Sequence, residues 1–379
     1  MARDDRGFTS QRRRQNRRKL FPSFLGTFRN EYVGLAHSRT VGSVRFRVKA
    51  AFARPKAAQL VRIAARCYLA VMTSYDSIGD LITEGARQFG AAKLCIGHNE
   101  DNAIDEARIL VLHALHLPPE LPAHFAKAQV TPEEAQAVRA VLKRRIVERV
   151  PAAYLTGRAQ FAGLTFRTDA RALVPRSPIA ELIEAGFEPY LAGRTVKHAL
   201  DLCCGGGSIA VAIAVHQPSW QVDALDVSEA ALSLTRENVA LHRVEKRVRV
   251  LQSDLFAAVP DQRYQLIVSN PPYLTSAQFR ALPAEYAHEP ELALVSGSDG
   301  LDLPLRLLKD ACAHLSSDGL LILEVGEAEV ALRDLLPKLA MQWLEFSVGS
   351  MGVCAIEARD LRAQRAQLSA LCEARSGSN

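Results

Sequence analysis

The chain has 379 residues, 48% of them hydrophobic and 23% charged, which is enough for two domains and at least one sizeable core. No run approaches the roughly eighteen apolar residues that a membrane span needs, so the expectation is no membrane partner. The formal charge of +6 is unevenly spread: the first 72 residues carry 17 Lys+Arg and 3 Asp+Glu, leaving 30 basic and 38 acidic residues for the rest.

The body of the protein is therefore acidic, and the pI near 9.0 belongs to the first segment. That segment, residues 1–71, has three readings. It can be an RNA-binding arm, because blocks of like charge bind nucleic acid, and direct nucleic-acid binding is expected nowhere else in the chain. It can be an Arg-rich, acid-poor targeting peptide. It can also be an over-extended translation start, with Met72 as the true first residue. It shows no sustained apolar period, so little stable structure is expected before about residue 70. Seven cysteines are scattered without a CxxC pair, and the only close pair is the adjacent Cys203-Cys204. This excludes the usual zinc and disulfide frameworks, predicts no metal, and fits a reducing cytoplasm.

Residues 72–150 read as a small helical domain. Ile78 to Ile82 and Ala103 to Leu117 place apolar residues at three- and four-residue spacings. Thr131-Pro132-Glu133-Glu134 is a helix start, with a cap, a first-turn proline and acids, and it opens a run to Val150. His113 and His116 are expected to pack on an apolar helix face. Residues 151–175 carry Tyr154-Leu155-Thr156-Gly157 and Phe161 to Phe166, read as turn and strand material of a linking hairpin. Residues 176–361 alternate strands and helices. Strands are expected at His198 to Cys203, Gln221 to Leu225, Arg247 to Leu251, Gln265 to Ser269, Gly319 to Glu324, Trp343 to Val348 and Val353 to Ala358. Such alternation builds an α/β fold, a mostly parallel seven-stranded sheet with helices on both faces, here ending in an antiparallel hairpin. Residues 362–379 read as a polar tail, a frayed helix.

Three stretches at strand ends suit a nucleotide-like ligand. Asp201-Leu202-Cys203-Cys204-Gly205-Gly206-Gly207-Ser208 follows an apolar strand and opens a helix. Its glycines let the backbone approach a ligand, and the helix N-terminus favours negative charge. Asp226 ends the next strand, 25 residues after Asp201, where an acid can accept from both ribose hydroxyls. Ser253-Asp254-Leu255-Phe256 follows the third strand. Asp254 can accept an adenine amino group while Leu255 covers the ring, although an Asp there is equally a helix cap. Nicotinamide enzymes share the glycine loop, so it alone does not choose a chemistry.

A fourth stretch narrows the choice. Ser269-Asn270-Pro271-Pro272-Tyr273 follows the apolar strand Leu266-Ile267-Val268. The double proline fixes the backbone and removes two donors, which leaves carbonyls free to accept. The Asn270 side-chain oxygen and the Pro271 carbonyl can hold both hydrogens of a planar NH2 group, aiming its lone pair out of plane toward a methyl group. Tyr273 offers a face for stacking. The acceptor can be an adenine amino group or a side-chain amide. No His or Glu has a clear claim to a general-base role, and Glu289 is a candidate for positioning the substrate.

The order of glycine loop, ribose acid, Ser253 to Phe256 and Asn270 to Tyr273 resembles the class I, Rossmann-like methyltransferases that act on exocyclic or amide nitrogens. From about Ser77 to Leu361 the chain is similar to the protein-glutamine methyltransferases, and within them to the branch acting on a glutamine of large-subunit ribosomal protein three. Val174-Pro175-Arg176-Ser177-Pro178-Ile179 carries that choice; the sister branch, acting on the GGQ glutamine of release factors, has a PRPDTE-like stretch there. His288-Glu289-Pro290-Glu291-Leu292, Ser298-Asp299-Gly300-Leu301 and Trp343-Leu344-Glu345-Phe346 resemble the ribosomal branch as well. The resemblance implies S-adenosyl-L-methionine as cofactor, held by Asp201, Cys203, Gly205, Gly207, Asp226, Asp254, Leu255 and Asn270. It implies a basic ribosomal protein as substrate, met in the cytoplasm. Asn270, Pro271 and Tyr273 would carry the catalysis, with Pro272, Arg176 and Glu289 completing the substrate site. The wider superfamily has glycine where Cys203 stands, which makes Cys203 and Cys204 a departure. Release-factor glutamine methylation, adenine methylation, and a nicotinamide oxidoreductase or silent binding module are the alternatives.

Overall fold

The computed structural model describes residues 76–96, 102–347 and 352–376. The expectations for residues 1–71 lie outside the described residues. Among those described, no helix is long and apolar enough to cross a membrane.

The helical domain comprises α1 (Ile78–Ala91), α2 (Ala103–Ala114) and α3 (Pro132–Glu148). Local chemistry fixes where two of them begin. Ser77 and Asp80 form a reciprocal capping box on α1, and Thr131 and Glu134 form another on α3 behind Pro132. Leu81, Phe89, Leu110, Val138 and Leu142 close one apolar core between the three. His113 and His116 are exposed, which corrects the packing expectation: the apolar face of α2 runs through Ala107, Leu110 and Val111, and His113 points away from it.

A short helix, α4 (Ala152–Thr156), precedes the hairpin of β1 (Arg158–Phe161) and β2 (Leu164–Arg167). Tyr154 to Thr156 are thus helical rather than turn or strand, closed by Gly157 in the left-handed region. The main sheet has seven strands: β3 (His198–Leu202), β4 (Gln221–Asp226), β5 (Val248–Gln252), β6 (Tyr264–Ser269), β7 (Leu315–Glu324), β8 (Gln342–Trp343) and β9 (Val353–Glu357). Their spatial order is β5-β4-β3-β6-β7-β9-β8; the first five are mutually parallel, and β9 runs antiparallel to both β7 and β8.

Side chains alternate between two cores, one on each face of the sheet. Ala199, Leu266, Val268 and Ile322 enter one; Leu200, Leu202, Ile267, Leu321 and Leu323 enter the other. The tail reading is corrected. α11 (Ala358–Ala363) packs against β7 and β9 and α12 (Arg365–Ser376) against the helix Asp302–His314, with Leu361 and Leu368 fully buried. Arg375 pairs with Asp299 and Asp302. Only a narrow stripe of α12 is apolar, too little to stand out from a polar sequence.

One buried ionic cluster ties the helical domain to the sheet domain. Arg145, with no exposed surface, donates to Glu106 (2.6 Å), to Glu285 (3.1 Å) and to the Cys95 carbonyl (2.9 Å). Arg149 also reaches Glu285 at 3.2 Å. Burial works to raise the Glu285 carboxyl, but backbone N–H groups and Arg145 outweigh it and hold it below its ordinary range. Removing one member of such a cluster strands buried charge, so Arg145→Ala is expected to lower stability by about 3–5 kcal/mol, read as a lowered midpoint in urea denaturation.

Candidate active site

The strand order reverses at β3: the chain passes to β4 on one side and later to β6 on the other. At such a switch point the loops leaving adjacent parallel strands diverge and open a crevice beyond their carboxyl ends. The loops after β3, β4, β5 and β6 carry Cys203 to Gly207, Asp226, Asp254 and Asn270, so topology alone brings the four sequence motifs to one edge.

Two adjoining cavities occupy this crevice. One, of about 110 Å³, is lined by Arg176, Ser177, Gly205, Asn270, Tyr273 and Glu324 among others. Its neighbour, of about 310 Å³, is lined by Asp254, Leu255, Pro272, Leu292, Leu303 and Arg306 among others. Cys203, Gly205, Asp226 and Ala293 border both, so the two form one elongated site with Asp226 at its waist.

The loop after β3 is held open by backbone conformation. Cys203, Gly205 and Gly207 all have φ in the left-handed region, at 62°, 53° and 77°. This is the physical reason that glycine suits the first position, and the cost of a cysteine there is about 1 kcal/mol. Burial pushes both thiols upward, so Cys203 and Cys204 stay protonated and unreactive. Asp201 is fully buried behind the loop: one oxygen accepts from Ala210 N–H at 2.9 Å, and the other has no hydrogen-bond partner. Burial raises its carboxyl to about 8. Asp201 and Gly207 therefore shape the loop from behind rather than border the crevice.

Asp226 accepts from Gly205 N–H at 2.8 Å and from Ser228 N–H at 2.9 Å, one bond on each oxygen. A carboxylate has about four acceptor positions, so two remain for a diol. Asp254 is more than half exposed and pairs with Arg306 at 2.8 Å, while Leu255 is buried at a φ of 49°.

At the other end Asn270 is half-buried and Pro271 and Pro272 are buried. The Tyr273 and Leu274 N–H groups both donate to the Leu294 carbonyl. The Tyr273 ring packs against Gly326, where an added Cβ would lie 2.6 Å from it, and its hydroxyl is 3.5 Å from Glu324. Arg176 and Glu289 form a two-pronged ion pair at 2.7 and 2.9 Å, and the Arg176 guanidinium lies over the Tyr286 ring. Both residues are thus brought to the site, joined to each other.

Glu324, at the end of β7, was not singled out from the sequence. It is 6% exposed, accepts from Ser177 Oγ at 2.5 Å and lines the smaller cavity beside Asn270; burial raises its carboxyl to about 7. The available signal was an acid closing the apolar strand Leu320 to Leu323, beside the strand that ends at Asn270. Among the described residues no group of three His, Cys, Asp or Glu side chains could hold a metal ion.

Residues 80–157 match the PrmC N-terminal domain model and residues 188–287 the methyltransferase small domain model. The chain is 56% identical over 299 residues to the ribosomal protein uL3 glutamine methyltransferase of Xylella fastidiosa strain Temecula1, covering 79% of this chain and 96% of that protein. It is 54% identical over 299 residues to the protein of that name from Xanthomonas campestris pv. campestris, covering 79% and 97%. It belongs to the uL3 glutamine methyltransferase family. The relative of that name from Bordetella pertussis is 45% identical, over 73% of this chain and 93% of that protein.

Gly207 supplies a test of the family's loop. A Cβ there would meet the Thr235 side chain at 2.5 Å on top of the left-handed backbone. Gly207→Ala is expected to cost about 2 kcal/mol or more in thermal stability, with loss of cofactor binding in the same preparation.

Proposed function

We propose that this protein uses S-adenosyl-L-methionine to methylate the side-chain amide nitrogen of a glutamine in ribosomal protein uL3, in the cytoplasm. The observation that carries the reading is Asn270-Pro271-Pro272-Tyr273 at the carboxyl end of β6, opening onto the same crevice as Asp226 and the glycine loop.

The residues present fit this cofactor. Half-buried Asp226 borders the crevice at the glycine-loop end, with the partnerless oxygen of Asp201 behind the loop, which suits a cationic amino-acid group there. Asp226 retains two acceptor positions for ribose hydroxyls. The larger cavity, with Leu255, Pro272 and Leu292, suits a flat apolar ring. Asp254 would accept the ring's amino group, sharing its carboxylate with Arg306.

When bound, the cofactor supplies a methyl carbon on a positively charged sulfur; the amide nitrogen's lone pair forms the new bond while the carbon–sulfur pair leaves with sulfur. An amide nitrogen is a poor nucleophile because its lone pair is delocalised. Asn270 and the Pro271 carbonyl would accept its two hydrogens, favouring a pyramidal nitrogen and stabilising the positive charge that develops there. Tyr273 would stack on the amide plane. Burial and Glu324 hold the Tyr273 hydroxyl protonated, so it is no base. After transfer the nitrogen's extra proton is acidic enough to pass to water. The Arg176–Glu289 pair would border the approach of the target peptide.

An acidic body suits a basic protein substrate, since opposite fields speed encounter. Among the described residues strands and helices alternate with no separate domain between them. The deciding experiment incubates the full-length enzyme and methyl-labelled cofactor with ribosomal protein uL3, release factors and nucleic acid in separate reactions. Label is expected in a uL3 glutamine, and label confined to nucleic acid or release factor would overturn the reading. Asn270→Ala should lower kcat by at least about 100-fold, near 3 kcal/mol, while cofactor affinity stays within a few-fold. Asp226→Ala should reverse the pattern, weakening cofactor binding about tenfold or more by equilibrium titration.

A further inference from the structure

We propose that Glu324 is a positioning residue that sets the orientation of the Asn270 side chain, leaving the Asn270 oxygen for the substrate amide. The inference rests on the proposed glutamine methylation and adds to it a residue that acts through Asn270.

An asparagine amide is chemically two-faced: turned by half a revolution it presents two donors where it had presented an acceptor. The substrate NH2 group is itself a pair of donors. The site works only if Asn270 shows it oxygen, and something must therefore engage the Asn270 nitrogen. Ser269 is in register with Leu323 on the neighbouring strand, so Glu324 stands beside Asn270 in the same cavity; an ionised carboxylate can only accept, so a bond between the two uses the Asn270 Nδ2–H. The remaining contacts of Glu324 enforce the same polarity. Ser177 Oγ donates to one oxygen at 2.5 Å, and the Tyr273 hydroxyl, held protonated by burial, faces the other at 3.5 Å. Three donors converge on one acceptor, from the loop before α5 (Ile179–Glu184) and from the loop after β6.

The charged surroundings are equally specific. Arg176 is the cation facing Glu324, and its guanidinium is shared with Glu289 and covered by Tyr286. From β9 the residue paired with Glu324 is Val353, which carries no charge. Burial therefore dominates and lifts the carboxyl to about 7. The sign follows directly. Above that pH Glu324 is ionised and Asn270 is held with its oxygen toward the substrate. Below it a protonated Glu324 becomes a donor, Asn270 turns its oxygen to it, and two donors confront the substrate NH2.

The test measures kcat against pH, between 5.5 and 9 or so, for the full-length enzyme on ribosomal protein uL3. Saturating cofactor is used, because Asp226, which borders the crevice and is also raised by burial, would act on cofactor affinity. The wild type is expected to lose kcat in acid with a midpoint near 7. Glu324→Gln should lower kcat by about 100-fold above the midpoint and abolish the acid limb, with cofactor affinity within threefold of wild type. Ser177→Ala removes one donor to the carboxylate and should move the limb upward by about one pH unit. An acid limb that persists unchanged in Glu324→Gln overturns the proposal. If Glu324→Gln does not fold, an unmoved limb in Ser177→Ala overturns it alone. A wild type that labels no uL3 would be a failure of the proposed function instead, and is seen before any variant is made.

Discussion

The crevice is organised around buried and half-buried carboxyl groups. Asp201, Glu289 and Glu324 are each less than a tenth exposed, Asp226 is half-buried, and all four lie at the carboxyl edge of one sheet. Arg176 makes its ion pair with Glu289. The others are held by backbone N–H groups, hydroxyls and an asparagine, which solvate a carboxylate without neutralising it. Carrying ionised groups into low dielectric is costly, and the upward shift of Asp201, Asp226 and Glu324 measures that cost. A ligand with an ammonium and a sulfonium offsets it. The same carboxyl groups are therefore the ones a cationic methyl donor would meet.

That arrangement needs a backbone that does not relax, and distant parts of the chain supply the bracing. The segment from Ala284 to Leu294 is fastened at one end by Glu285 to Arg145 and Arg149 of the helical domain. At the other end its Leu294 carbonyl accepts from Tyr273 and Leu274, just past the double proline. Between these points Tyr286 supports Arg176, and Glu289 pairs with it. The helical domain thus bears on the acceptor site through one short stretch of chain. From the other side, Gly300 lets the backbone approach so closely that an added Cβ would fall 2.1 Å from the Tyr273 carbonyl oxygen. The neighbouring Asp299 and Asp302 are held by Arg375 of α12, so the last helix braces the same loop.

What could be read in advance follows from how local each feature is. The strands announce themselves as apolar runs closed by Gly, Pro or acid, and the caps at Ser77 and Thr131 are written within four residues. The glycine loop, Asp226 and Asn270 were visible because each is a strand end, and parallel strands must bring their ends to one edge. Glu324 and Ser177 escaped because their meaning arises only on contact, 147 residues apart in sequence. The same holds for Arg145 and Glu285, 140 residues apart and paired only by the fold. His113 and His116 show the converse error: an apolar neighbourhood in sequence does not fix which side of a helix a residue occupies. Asp201 was legible as part of the motif, but its place behind the loop depends on the register of β3 against α6 (Ser208–His216).

Amide methylation poses a different problem from most group transfers, since deprotonating the nucleophile beforehand is out of reach of any side chain. The residues around Asn270 are of the kind that choice requires. Tyr273 stays protonated, no histidine among the described residues borders the smaller cavity, and the acid that is present accepts from Ser177 rather than standing free as a base. What remains is orientation and field: acceptors fixed where hydrogens must be held. These interactions are weak toward a planar, neutral amide and strengthen as the nitrogen pyramidalises and gains charge, which is the condition for accelerating a reaction rather than merely binding its substrate. It also explains why Asn270 lies between two prolines and a carboxylate. An acceptor that could rotate would serve the ground state as well as the transition state, and the advantage would vanish.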